Sequence, residues 1–70
     1  MRKMLSFKEM RLKAGFSQSK LAKLLGVDRT SVSKWDLGLS TPKLKTLLKL
    51  TKIFQCSFDE LLNSFNYKIK

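Results

Sequence analysis

The sequence predicts a single all-α domain of five short helices, and three observations predict it. Apolar residues recur at helical spacing, as in Leu21, Ala22 and Leu25 or Leu44, Leu47 and Leu48. A polar residue of the capping type heads each such run: Ser6, Ser17, Asp28, Thr41 and Ser57. No stretch before residue 63 alternates apolar and polar residues with the period of two that marks a strand.

The first helix ends at Ala14, with Gly15 suited to the left-handed position beyond it. Its start has two readings: Ser6 and Glu9 form a capping box, or Met4 and Leu5 extend the helix upstream. Ser17 caps the second helix, whose buried stripe is Leu21, Ala22 and Leu25. Gly26-Val27 makes the turn. Asp28 then caps the third helix, where a carboxylate also meets the positive end of the dipole, and Val32 and Trp35 face inward. Leu37-Gly38-Leu39-Ser40 is a loop. Thr41-Pro42 opens the fourth helix, proline at the first helical position lacking only an N–H that would have no partner there. Leu44, Leu47, Leu48, Leu50 and Phe54 supply its apolar face. Ser57 and Glu60 form a second capping box, with Cys56 and Leu61 as its hydrophobic staple, and Leu61 and Leu62 close the core.

Seventy residues make one domain, and 43% hydrophobic content is enough for a globule. Fifteen Lys and Arg against five Asp and Glu leave a formal charge of +10, which suits a polyanionic partner, nucleic acid before an anionic membrane surface. Lys20, Lys23, Arg29, Lys34, Lys43 and Lys45 lie in or beside the second and third helices, opposed only by Asp28 and Asp36. No apolar run is long enough to span a bilayer, and the basic-then-apolar start at residues 1–5 is broken too early for a signal peptide. The lone Cys56 has no partner for an internal disulfide. A cytoplasmic location is therefore expected. The chain has no histidine, no second cysteine and no glycine-rich phosphate loop, so it offers neither acid–base and metal chemistry nor a cofactor cradle. It reads as no enzyme, with no metal site and no cofactor.

Two short helices broken once, at Gly26, can hold one helix against a scaffold while the other enters the major groove of DNA. With Val32 and Trp35 turned inward, a 100° step per residue projects Thr30, Lys34 and Leu37 outward, with Ser31 and Ser33 on the flanks. Arg29 stands at the N-terminal end, which penetrates deepest, and its guanidinium matches guanine O6 and N7. Gln18 and Ser19, at the head of the second helix, have free backbone N–H groups suited to phosphate.

These residues resemble the Cro/C1-type, or XRE-like, helix-turn-helix regulators. The resemblance runs from Phe7 to Leu62 and rests on Phe16-Ser17-Gln18, Leu21-Ala22, Leu25-Gly26-Val27, Val32-Ser33-Lys34-Trp35-Asp36, Gly38, Pro42 and residues 56–62. It implies a compact, lambda-repressor-like fold that binds a pseudo-palindromic operator in double-stranded DNA as a homodimer. It also implies base contacts from Arg29, Thr30 and Lys34, phosphate contacts from Gln18, Ser31 and the loop reaching Lys43, and a structural ion pair between Arg11 and Asp36. The chain departs from the family at Leu37 and Leu39, where members carry polar or basic residues, and at Leu12, on a face that is often charged.

Each reading has a plainer alternative. Arg29 and Lys34 can be solvated surface cations, and Thr30 and Ser31 are ordinary first-turn residues. Trp35 belongs to the core, Cys56 is a small hydrophobe rather than a redox sensor, and Lys45, Lys49 and Lys52 form a solvated face. The domain is assigned to residues 1–63. Residues 64–70, whose Phe65-Asn66-Tyr67-Lys68-Ile69-Lys70 alternates like a strand, are either a frayed terminus or a short extended tail touching a dimer partner. The functional expectation is a sequence-specific transcription regulator that represses by occupancy. The alternative is an antitoxin or other interaction module, with a protein partner docking through Leu37, Leu39 and the tail.

Overall fold

A computed structural model describes residues 5–65 and contains the five helices: α1 Phe7–Lys13, α2 Gln18–Leu25, α3 Arg29–Leu37, α4 Leu44–Phe54 and α5 Phe58–Ser64. Among the described residues there is no strand.

Helix starts follow the side-chain chemistry. Ser6 Oγ accepts the Glu9 N–H while Glu9 Oε1 accepts the Ser6 N–H, so the capping box settles the start of α1 at Phe7. Ser57 and Glu60 repeat this at α5, and Ser17 Oγ accepts the Lys20 N–H at α2. Asp28 sits at the head of α3 in extended backbone, but its carboxylate makes no cap hydrogen bond. Its benefit there is confined to charge against the helix dipole.

The turn between α2 and α3 depends on Gly26, whose φ of +70° is a left-handed conformation that L side chains seldom adopt. It lets the Val27 N–H reach back to the Ala22 carbonyl, so α2 ends abruptly and α3 starts three residues after Gly26.

The core is built on Phe7, Leu21, Val32, Leu50 and Leu61, all almost fully buried. Phe7 lies edge-on to Trp35, with ring centroids 5.9 Å apart, and stacks on Phe65 at 5.0 Å. Cys56 and Leu62 pack against the same cluster. α5 runs one residue past the expected domain boundary, and Phe65 joins the core; the rest of the tail, residues 66–70, lies outside the described residues.

The fourth helix corrects two expectations. It starts at Leu44, with Lys43 in the capping position, rather than at Thr41-Pro42. Pro42 is instead buried in the connecting segment, and a residue preceding proline is held in extended backbone, which postpones the first turn. Its apolar face is also narrower than expected. Leu47 and Leu50 are buried and Phe54 is half-buried, whereas Leu44 and Leu48 are 63% and 50% exposed. With Leu47 and Leu50 inward, Leu44 and Leu48 lie roughly 90–130° round the helix from the buried direction. No helix among the described residues is long and apolar enough to cross a membrane.

Candidate nucleic-acid interface

The anchor of α3 is its inner face. Val32 is completely buried and Trp35 nearly so, and Phe7 of α1 presses against the Trp35 ring. Those two contacts fix the rotation of the helix. Arg29, Thr30, Lys34 and Leu37 consequently stand exposed, with Ser31 and Ser33 half-buried on the flanks.

A polar network ties this helix to α1 and α2. Arg11 is buried and makes a bidentate pair with Asp36: Nη2 donates to Oδ2 at 2.7 Å and Nε to Oδ1 at 3.3 Å. Arg11 Nη1 donates to the Phe16 carbonyl at 2.7 Å. This is the ion pair expected between Arg11 and Asp36, with both side chains about 95% removed from solvent (5% and 3% exposed). Such a pair satisfies itself, but deleting one partner strands a buried charge.

Gln18 extends the network to the tip of α3. Its Nε2 donates to Asp36 Oδ2 at 2.9 Å, and its Oε1 accepts from Arg29 Nη1 at 3.2 Å. The orientation of the amide is dictated by its neighbours. An ionised carboxylate only accepts and a guanidinium only donates, so the amide nitrogen must face Asp36 and its oxygen Arg29. Four side chains from three elements thus alternate donor and acceptor from the interior to the surface.

The other residues expected to meet phosphate are distributed around this network. Ser19 is exposed at the start of α2, beside Gln18. The Lys20 N–H is taken by Ser17, while the N–H groups of Gln18 and Ser19 have no acceptor among the described residues. The Ser31 N–H is bonded to the Asp28 carbonyl, leaving its half-buried side chain at the flank. Lys43 is exposed at the head of α4, on a different element from the rest. The residue whose role sequence reasoning missed is Gln18, read only as a phosphate contact. Its link to Arg29 spans eleven positions across a turn, which no local pattern encodes. Among the described residues no group of acidic or cysteine side chains could hold a metal ion.

A family model described as helix-turn-helix matches residues 7–61. Over 55 residues the chain is 42% identical to YonR of Bacillus subtilis (strain 168), an SPbeta prophage-derived uncharacterized HTH-type transcriptional regulator, covering 79% of this chain and 51% of that protein. It is 36% identical over 55 residues to the HTH-type transcriptional activator BcrR of Enterococcus faecalis, covering 79% and 27%. It is 38% identical over 52 residues to Repressor protein C2 of Salmonella phage P22, covering 74% and 24%. The chain spans about half or less of the length of these relatives. No solved structure matches it significantly.

Proposed function

The chain belongs to the helix-turn-helix family of Cro/C1-type DNA-binding transcription regulators, and from that premise we propose that it is a repressor that binds a pseudo-palindromic operator as a homodimer. One observation carries the reading: Val32 and Trp35 are buried while Thr30 and Lys34 stand exposed on the opposite side of the same helix and Arg29 stands exposed at its leading end. Arg29 reads a guanine edge, Thr30 offers its hydroxyl to a base and its methyl to thymine, and Lys34 reaches a base further along the groove. The free backbone N–H groups of Gln18 and Ser19, together with Ser31 and Lys43, hold the flanking phosphates, which fixes register without reading sequence. Two copies on half-sites about 34–36 Å apart occlude promoter DNA, and occupancy alone excludes polymerase.

Selection of bound fragments from random duplex DNA tests this reading. The expected product is an inverted repeat with half-sites one helical turn apart. Arg29→Ala should then erase preference for that repeat while leaving residual binding to random DNA. Raising salt from about 50 to 200 mM should weaken binding by orders of magnitude. Failure to enrich any sequence, or equal loss on specific and random duplexes in the variant, would overturn it.

A further inference from the structure

We propose that the outer face of α4 docks an acidic amphipathic helix of another protein. Leu44 and Leu48 lie one turn apart on that face and are more than half and half exposed. Thr51 occupies the next turn, and its hydroxyl already donates to the Leu48 carbonyl at 2.7 Å, which leaves the stripe with little polar demand of its own. Lys52 and Lys45, one turn either side of Leu48, border the stripe and Lys49 lies further round, all exposed, and no described acidic side chain pairs with them. From Leu37 to Phe58 the sequence has four lysines and no acidic residue.

Two alternating demands follow from this surface: apolar contact at one-turn spacing, and negative charge on its border. Phosphate answers only the second. A second copy of this chain answers the first but sets the lysines of this face against the same lysines. A helix with leucines at i, i+4 and i+7 between glutamates answers both. Because these residues are not among those that hold α3 in place, this inference is independent of the DNA-binding reading.

The test uses the full chain and a synthetic helical peptide carrying leucines at i, i+4 and i+7 flanked by glutamates. Its control has the same composition with the leucines dispersed round the helix. Fluorescence anisotropy should show saturable binding of the first peptide, at least about tenfold weaker for the control. Leu48→Glu and, separately, Lys52→Glu should weaken it to a similar extent, with thermal melts and binding to duplex DNA close to those of the parent chain. Equal binding of the two peptides would mean charge alone and would overturn the proposal. So would unchanged peptide affinity in both variants, or sedimentation showing that Leu48→Glu splits a dimer, since a second copy would then cover the face.

Discussion

Gln18 accepts a hydrogen bond from Arg29 at 3.2 Å, so the residue at the leading end of α3 is held by the first residue of α2. The same amide donates to Asp36, which is locked by Arg11. The exposed guanidinium is therefore connected to the interior by side chains that cannot exchange their donor and acceptor roles. An arginine restrained in this way loses less conformational freedom on meeting a base than one free in solvent.

Gln18→Ala should accordingly reduce discrimination more than affinity. A hydrogen bond to a charged group is worth about 1.5–3 kcal/mol, and its loss from an exposed site lies at the low end, so preference for the selected sequence should fall about tenfold. Competition between selected and random duplexes measures this. In the Gln18→Ala, Arg29→Ala double variant, preference should be no lower than in Arg29→Ala alone, because both changes remove one arrangement. Fully additive losses would show that the Gln18 side chain acts on DNA independently of Arg29.

The ion pair makes the second prediction. Asp36→Ala leaves the buried Arg11 guanidinium with the Phe16 carbonyl as its remaining acceptor and should destabilise the fold by about 3–5 kcal/mol. For a domain of this size each kcal/mol shifts Tm by about 4–8 °C, so the variant should melt at least about 12 °C below the parent chain. Arg11→Met combined with Asp36→Leu should recover most of the loss, since apolar side chains of similar volume leave no charge stranded. Thermal melts followed by circular dichroism decide it. A mild Asp36→Ala phenotype would place the pair among surface bridges instead.

Most of the fold was legible because its signals are local. Ser6, Ser17 and Ser57 act as caps through atoms three residues away, and the inward turn of Val32 and Trp35 follows from one helical period. The failures lie where tertiary packing competes with local preference. Thr41-Pro42 has the chemistry of a helix start, yet Pro42 is buried in the connection and α4 begins later. Leu44 and Leu48 are as apolar as Leu47 and Leu50, and only the position of the rest of the core makes them outer residues. The Arg11–Asp36 pair was accessible through family resemblance alone, and the place of Gln18 within it required the packed arrangement of α1, α2 and α3.

Gln55 gives a stabilising variant. It ends α4 with φ +53° and is the non-glycine residue with positive φ among those described. The left-handed region costs an L side chain about 1–2 kcal/mol, which glycine avoids at the expense of extra freedom in the unfolded chain. Gln55→Gly should therefore gain about 1 kcal/mol and raise Tm by about 4–8 °C. Gln55→Val, branched at Cβ, should lower it. If both substitutions shift the melt in the same direction, backbone conformation is not the controlling factor.

Cys56 supplies a prediction in pH. Burial against the core pushes its thiol pKa up, and the Glu60 carboxylate adds to the shift. The thiolate is the reactive form, so at pH 8 iodoacetamide should modify native Cys56 several-fold more slowly than the same residue in urea. The sign for stability follows from the folded pKa lying above the unfolded one, which is near 8.5. Below about 8.5 both states hold the proton and the thiol's contribution is fully present; as pH rises toward the folded value, the unfolded state ionises first and the contribution is lost. The urea midpoint of the parent chain should thus fall above pH 8.5 more steeply than that of Cys56→Ala. Alkylation at equal rates in native and unfolded protein, measured by mass spectrometry, would show instead that the thiol stands in water.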